Sequence, residues 1–429
     1  MKEFFIKLIA SVTALTTLVS SGIDTVQKYH FVDLLAEGFA TYFKADTSDE
    51  VDKFLAKTGG VVKGVCHPNS DTKQISEANI QWVRFDLNEL PYDGQGKTNA
   101  SYQYAKSRAK YYADAGFKVM LITPYPKDYI AAGIDPRTED GKKKVKEIAE
   151  FYAKDLQGIA SAFQITNEMG VDHFTVPLTI QQAAEFIGIQ MEAMNNVKKD
   201  IVVGFNIAAW EMYNLCYYVK PWLDYADYVG VDIYLGCFEN VFKTLYGYDF
   251  LTRFVWGMTK KPVMVCEFGY IGYGEAKSTK EKNEILQSYG YENEAAARAD
   301  IRGFINNLPT DFRDHMLNLG CTTDEELAAK LFDTELINHL YCELPEGYTL
   351  RNFKHNPEDQ AKFFTKTIAK LQKHKFVVGG FVYCYEDSNA CYICGQSDCP
   401  VETGWGLVDL KGNPKPAYYA VRDAFANWK

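Results

Sequence analysis

The sequence predicts an α/β fold built around a parallel sheet, and two observations support this prediction. Near-continuous apolar runs, typical of strands buried on both faces, alternate with longer segments whose apolar residues have helical spacing. The chain has 429 residues, of which 47% are hydrophobic, so it can bury an extensive core. Parallel strands that alternate with helices form either a closed barrel or an open, doubly wound sheet.

Eight apolar runs are predicted to be strands. They are residues 61–66, 80–86, 117–122, the run before Asn167, 201–206, 228–234, the run before Glu267, and 377–383. Eight strand–helix units in about 370 residues predict a (β/α)8 barrel, or TIM barrel, with insertions. The open sheet is the alternative, but no G-x-G-x-x-G motif follows the first strand, so its nucleotide-binding version has no support.

Helical segments are predicted between most of these strands. The helix over 102–115 ends at Gly116, a common C-terminal stop signal, and further helices are predicted over 142–158 and 179–198. Together with the eight strands, these segments predict a single barrel domain over residues 23–429.

A long segment after the seventh strand interrupts the strand–helix rhythm. Helices are predicted there over 294–307 and 324–340, followed by a regular barrel helix over 357–374. We therefore expect an inserted helical lobe at about 272–355, on the loop side of the barrel. Such a lobe would roof or wall a cleft there; the alternative is a stabilising appendage.

The first 22 residues have some features of a signal peptide. Lys2 precedes an apolar run over 8–19, and small residues follow it, although Glu3 is unusual in such a leader. The alternative is an amphipathic N-terminal helix that packs on the domain. The chain is therefore expected to be secreted if 1–22 is a leader and cytoplasmic otherwise. A membrane span is not expected, because the run is shorter than about 20 apolar residues.

Charge and aromatic content restrict the partners of this protein. The net charge is −10, without a basic run, which makes nucleic acid a poor candidate. Aromatic residues make up 14% of the chain, and their faces suit stacking on sugar rings, although most of them are expected to pack in the core.

Two glutamates stand at the ends of predicted strands. Asn167-Glu168 and Glu267 each follow an apolar run, and a glycine lies two residues after each glutamate. The C-terminal ends of barrel strands meet at one rim, so these carboxyl groups are expected to share a pocket. One as proton donor and one as nucleophile, about 5–5.5 Å apart, would suit cleavage of a glycosidic bond with retention.

Other polar and aromatic residues fall at the same predicted rim. Arg84 and Tyr234 are expected to support Glu267, because a cation and a hydroxyl donor stabilise a carboxylate. Asn167 is expected to bind a sugar hydroxyl. Further candidate contacts to substrate are Asn206, Trp210, Trp405 and His67, with packing as the alternative for the two tryptophans and the histidine.

Several motifs together resemble the clan A glycoside hydrolases, in a family-5-like arrangement. The motifs are Asn167-Glu168, Glu267-Phe268-Gly269, Val83-Arg84-Phe85, Val231-Asp232-Ile233-Tyr234, Gln360-Ala361-Lys362-Phe363 and the tail from Gly404 to Tyr418. The resemblance spans about residues 60–428. It implies a (β/α)8 barrel that hydrolyses β-linked glycosides or polysaccharides, of glucan or mannan type, by double displacement. It also implies Glu168 as the acid/base and Glu267 as the nucleophile.

The chain departs from this clan at two positions near the rim. The clan usually carries a tryptophan at the end of strand 8, where this chain has Tyr383 and Tyr385 as candidate substrate contacts. Some of its families place a histidine two residues before the strand-6 tyrosine, where this chain has Asp232. These differences leave the individual family and the sugar unassigned.

Other functional classes have less support. A non-hydrolytic carbohydrate-binding or transglycosylating relative is the main alternative. An aldolase would need a Schiff-base lysine at a strand end, and a metal hydrolase would need clustered histidine ligands. The sequence contains neither pattern, so no cofactor and no catalytic metal are expected.

Four cysteines lie close together after the last strand. Cys384, Cys391, Cys394 and Cys399 have a spacing that permits either two disulfides or a structural zinc site. Export would favour disulfides, and the Cys391-x2-Cys394 pair favours metal. Free thiols are the third alternative.

Overall fold

A computed structural model describes residues 48–87, 89–92, 97–197, 201–208, 212–238, 242–344 and 349–429. The predicted leader at 1–22 and the candidate Trp210 lie outside these residues. Within the described part, no helix is both long and apolar enough to cross a bilayer.

Eight parallel strands form a closed barrel in sequential order, which confirms the predicted fold. The strands are β1 (Val62–Cys66), β2 (Trp82–Asp86), β3 (Lys118–Ile122), β4 (Ala162–Ile165), β5 (Val202–Ala208), β6 (Tyr228–Ile233), β7 (Val263–Phe268) and β8 (Val377–Val382). The barrel closes where β1 pairs with β8, with Val65 opposite Val382. Almost every strand residue is buried, as expected for a sheet that is covered by helices on its outer face.

Helices surround the barrel, and polar side chains define many of their first turns. Asn99 and Thr138, for example, accept hydrogen bonds from backbone N–H groups of the helices that follow them. The helices before β7 are α1 (Asp49–Thr58), α2 (Thr72–Glu77), α3 (Ala100–Asp114), α4 (Pro126–Ala131), α5 (Glu139–Asp155), α6 (Asp172–Thr175), α7 (Ile180–Val197), α8 (Met212–Val219), a 3-10 helix (Lys220–Tyr225) and α9 (Tyr246–Thr259).

Short helices fill the long segment between β7 and β8. They are α10 (Thr279–Ser288), α11 (Glu294–Ala299), α12 (Ile301–Asn306), α13 (Thr310–Leu317), α14 (Asp324–Phe332) and α15 (Leu336–Tyr341). The chain then continues through α16 (Pro357–Leu371) to β8 and ends with α17 (Pro400–Thr403) and α18 (Pro416–Asn427).

Two helices in this segment are shorter than the apolar spacing predicts. The helix predicted over 294–307 breaks at Asp300, whose side chain accepts from the Gly303 N–H and starts a new helix. The helix predicted over 324–340 breaks at 333–335, where the Thr334 hydroxyl donates to the Lys330 carbonyl. Side-chain bonds to the backbone compete here with helix continuation.

The register of β6 against β7 matters for the site. It shifts between Val231 and Asp232, so that Asp232 stands opposite Glu267. Such irregularities change the direction of side chains near the end of a strand. This shift places two acidic residues side by side at the C-terminal rim of the barrel.

Candidate active site

The side chain of Glu267, near the end of β7, is held by two donors. Arg84 on β2 donates from Nη1 to its Oε1 at 2.7 Å, and the Tyr234 hydroxyl donates to its Oε2. Arg84 is 1% exposed, so its ion pair with Glu267 is shielded from water. Burial raises the pKa of Tyr234, with the charge of Glu267 as the next cause, so this hydroxyl stays a donor at neutral pH.

A second network holds the residues after β4. The Oδ1 atom of Asn167 accepts from Arg84 Nη2 at 2.8 Å and from Asn206 Nδ2 at 2.7 Å. These donors determine the orientation of the Asn167 amide and leave its Nδ2 as the group for a ligand. Asn206 also accepts from the Glu168 backbone N–H at 2.9 Å, so one amide on β5 positions both residues.

The backbone at this rim adopts conformations that are unusual for residues other than glycine. Glu168 has a φ of 44°, and Thr166 and His67 have φ values of 57° and 49°. Strain of this kind persists where the surroundings enforce it, and it clusters at functional sites. Gly269 meets a different constraint, because a Cβ there would lie 2.4 Å from the Tyr383 carbonyl oxygen.

The side chains of Glu168 and Glu267 line the same cavity of about 550 Å³, which lies within the usual range for small-ligand sites. Its other lining residues are His67, Asp86, Ile122, Tyr125, Asn167, Phe174, Ala208, Tyr234, Phe238, Glu335, Tyr383, Tyr392 and Glu402. With Glu168 and Glu267 included, five of the described lining residues carry carboxyl groups, and none is a lysine or arginine.

Aromatic rings form one side of this cavity. Tyr383 contacts His67 edge to face at 5.5 Å and Tyr234 at 5.7 Å between ring centroids. Behind them, Trp405 packs on both tyrosines and is itself buried. The His67 side chain is exposed toward the cavity, and partial desolvation lowers its pKa. His67 is therefore a neutral hydrogen-bonding group at pH 7.

The structure gives several predicted substrate contacts a different position. Asn206 is buried beneath the cavity and, like Arg84, positions its lining residues instead of reaching a ligand. Tyr385 is fully buried, and its hydroxyl donates to Gln74 Oε1 at 2.7 Å, so it packs between the barrel and α2. Trp405 is also a packing residue, since it is 1% exposed.

Sequence reasoning missed several residues of the cavity. Asp86 ends β2 and Tyr125 follows β3, so their positions at or after a strand end could have identified them as cavity residues. Tyr125 stacks on Phe174 at 5.3 Å. Glu335 and Glu402 reach the cavity from the inserted helices and from the segment after β8, where no local pattern marks them.

The cysteines after β8 do not stay together. Cys384 lies apart, with its thiol donating to the Glu386 carbonyl oxygen at 3.1 Å. Cys391, Cys394 and Cys399 instead group with His339 from α15, a partner that the sequence did not indicate.

The fold and this rim define a (β/α)8 barrel with an acidic cavity at the C-terminal ends of its strands. No protein-family model and no curated protein matches the sequence. Solved structures of glycoside hydrolases share the fold. The GH53 catalytic domain from Ignisphaera aggregans is 14% identical over 86% of this chain and 92% of its own, with a TM-score of 0.50.

Two further structures have the same level of identity. A family 39 glycoside hydrolase from Bacteroides cellulosilyticus WH2 is 14% identical over 86% of this chain and 64% of its own, with a TM-score of 0.51. A GH2 beta-galacturonidase from Eisenbergiella tayi is 14% identical over 86% of this chain, with a TM-score of 0.48, and the match spans 51% of its length. At this identity, the similarity to the GH53 and family 39 structures shows the barrel fold alone.

The buried carboxyl group of Asp232 is expected to lower the free energy of unfolding, and this effect can be measured. Its Oδ2 accepts from Asn206 Nδ2 at 2.5 Å, and its Oδ1 has no hydrogen-bond partner among the described residues. Burial raises its pKa, and the charges of Glu267 and Glu168 add to this effect. Above the unfolded pKa of about 3.9 the folded chain thus binds more protons than the unfolded chain, so stability falls as pH rises.

We expect Asp232→Asn to be more stable than the parent, by a margin that grows with pH. The difference in free energy of unfolding between variant and parent should be near zero below about pH 4. It should grow by up to about 1.4 kcal/mol per pH unit until Asp232 ionises in the folded parent. Urea unfolding from pH 4 to 8 measures it. Asp140→Asn, on a side chain that is 96% exposed, is the control and should show no such trend. A margin that is constant over this range would contradict the prediction.

Proposed function

We propose that this protein is a retaining glycoside hydrolase that cleaves β-linked glycosides or polysaccharides of neutral sugars, of glucan or mannan type. Glu267 is the nucleophile and Glu168 is the acid/base. The family-5-like resemblance of its motifs stays a hypothesis, as does the carboxyl separation of about 5–5.5 Å that the retaining route requires. The barrel fold shared with solved glycoside hydrolases supports this class.

The observation that carries the proposal is that two carboxyl groups share one cavity and that one of them, Glu267, is held by a buried arginine and a tyrosine hydroxyl. Glu267 accepts from a buried arginine and from Tyr234, which is suitable for a carboxylate that attacks the anomeric carbon. Glu168 follows β4, is half-buried and lines the same cavity, and its backbone N–H donates to Asn206 Oδ1. Two carboxyl groups in one cavity, one of them paired with an arginine, can take the roles of nucleophile and proton donor.

Each step then has a residue to perform it. Glu168 protonates the glycosidic oxygen while Glu267 attacks the anomeric carbon, so that the bond to the leaving group breaks and a glycosyl ester forms. Glu168, now a carboxylate, removes a proton from water, and this water cleaves the ester and restores Glu267. The Nδ2 group of Asn167 is available to donate to a sugar hydroxyl beside the cleaved bond.

The charge of the cavity favours neutral sugars. Five carboxyl groups and no described lysine or arginine line it, so a sugar carboxylate would meet repulsion without a pairing cation. Tyr125, Phe174 and Tyr383 offer aromatic faces to the apolar sides of sugar rings. The observations thus support a glucan or mannan over a polyuronide.

Hydrolysis of a substrate panel tests the proposal. We expect turnover of aryl β-glycosides and of β-glucan or mannan, no turnover of the matching aryl α-glycosides, and weaker activity on uronides. Proton NMR of the first product should show the β-anomer, since two displacements retain configuration. An inert protein across the panel, or a first product with the α-configuration, would refute the proposed reaction.

A covalent label tests the role of Glu267 directly. An activated 2-deoxy-2-fluoro β-glycoside of the preferred sugar slows both steps and should leave one sugar on the protein. Peptide mapping should locate the sugar on Glu267. The Glu335→Gln variant, which alters an exposed carboxyl group of the same cavity, is the control and should label normally. A label on Glu168 or Glu335 would contradict the assignment.

A further inference from the structure

A buried cluster of metal-binding side chains lies outside the proposed reaction. His339 Nδ1 and the sulfur atoms of Cys391, Cys394 and Cys399 all lie within 4.8 Å of one another. The four residues are at most 4% exposed. All described cysteines are free thiols in the structure. We propose that these four side chains bind a structural zinc ion that joins the inserted helices to the segment after β8.

The distances in the cluster suit tetrahedral zinc. Cys391 Sγ lies 3.3 Å and Cys399 Sγ lies 3.7 Å from His339 Nδ1. Zinc–sulfur bonds of about 2.3 Å and zinc–nitrogen bonds of about 2.0–2.1 Å place tetrahedral sulfur and nitrogen ligands about 3.5–3.6 Å apart. A disulfide, by contrast, would bring two sulfurs to about 2.05 Å. Two sulfurs therefore flank one imidazole nitrogen at separations that a shared ion requires.

The backbone around Cys391 prepares its sulfur for a negative charge. The N–H groups of Ile393 and Cys394 both point at Cys391 Sγ, each at 3.4 Å. Gly395 completes this turn with a φ of 71° and donates its N–H to the Cys391 carbonyl oxygen at 2.8 Å. Backbone donors to a sulfur stabilise a thiolate, which is the form that binds metal.

The ligands come from two segments that are distant in sequence. His339 belongs to α15, between β7 and β8, and the three cysteines follow β8. Tyr392, next to Cys391, and Glu335, about one helical turn before His339, both line the cavity. A three-cysteine, one-histidine set is typical of closed structural zinc sites, and here it would fasten two parts of the cavity wall to each other.

Metal analysis of the full chain tests this site independently of any glycosidase activity. Protein produced with zinc and purified without chelators is expected to contain about one zinc ion per chain. Cobalt exchanged into the site should show thiolate-to-metal charge transfer and the strong visible absorption of a tetrahedral ion. A chain that stays metal-free after incubation with zinc and a reductant, or an intact mass that reveals a disulfide within the cluster, would overturn the proposal.

Variants with matched controls test the ligand set. Cys394→Ser and His339→Ala should lose the bound zinc, whereas Cys384→Ser, from the same segment but outside the cluster, should retain it. Cys342 contacts Cys394 and Cys399 but is not in the four-residue group, so Cys342→Ser should also retain zinc. Zinc loss in Cys342→Ser with retention in His339→Ala would overturn the assignment.

Exchange measurements remain informative where a variant fails to fold. Removal of zinc from the parent protein by a chelator should speed amide hydrogen exchange in 336–342 and 391–403. The barrel strands should keep their protection, because the cluster lies outside the barrel. Unchanged exchange in both segments after complete zinc removal would show that no metal joins them and would overturn the proposal.

Discussion

Replacement of Glu267 by glutamine is expected to lower kcat/KM by at least about 10³-fold, because the variant has no nucleophile for the covalent step. Glutamine preserves the shape of the side chain, and its Oε1 can still accept from Arg84. Its Nε2, however, cannot accept from the Tyr234 hydroxyl, and an amide oxygen does not form the glycosyl ester. Steady-state kinetics on the best substrate of the panel measures the loss.

Substrates with different leaving groups distinguish the activity loss of Glu267→Gln from that of Glu168→Gln. Glu267→Gln should be equally impaired on glycosides with good and poor leaving groups, because both need the nucleophile. Glu168→Gln should be impaired much more on poor leaving groups, since these need protonation. Glu335→Gln, from the same cavity, should retain most activity. A Glu267→Gln variant with more than a tenth of the parent's activity would refute the assigned role.

Replacement of Arg84 by methionine should have the largest effect on stability. The guanidinium donates to Glu267, Gln164 and Asn167 at 2.7–2.8 Å, and it is almost completely buried. Its removal leaves the carboxylate of Glu267 buried without a cation, which is expected to destabilise the fold by about 3–5 kcal/mol. Denaturant unfolding measures this change, and activity should fall as well because both rim networks lose their common donor.

Tyr234→Phe is the matched control for this prediction. It removes one donor to Glu267 but preserves the ring that packs on Tyr383 and Trp405. We expect a clear loss of activity with a stability change of about 1–2 kcal/mol at most. If Arg84→Met were no less stable than Tyr234→Phe, the buried ion pair would not organise the rim in the way we infer.

The barrel and the centre of its rim could be predicted because both follow from local patterns. Apolar runs of strand length that alternate with helical segments have few parallel arrangements, and the strands of such a barrel end on the same face. Arg84, Asn167 and Glu267 are therefore expected to lie close together in such a barrel, independently of the loop conformations. The register shift that places Asp232 opposite Glu267 has no such local signal.

After β8, closeness in the sequence did not predict closeness in the structure. Cys384 belongs to the cysteine run in the chain, but its thiol bonds to the Glu386 carbonyl, and His339 takes its place in the cluster. Tyr385 follows the last strand but points to Gln74 instead of the cavity. Neighbours along an irregular segment diverge, because no repeating hydrogen-bond pattern fixes the direction of successive side chains.

The sequence by itself thus determined the (β/α)8 barrel and the carboxyl groups at its rim, since periodic burial and parallel pairing are encoded within each strand–helix unit. Only the tertiary structure decided which residues complete the cavity wall and the cysteine cluster. Glu335, Glu402 and His339 reach their places through the packing of a long insertion against the segment after β8. Contacts of this kind depend on the whole folded chain and leave no periodic signal in the sequence.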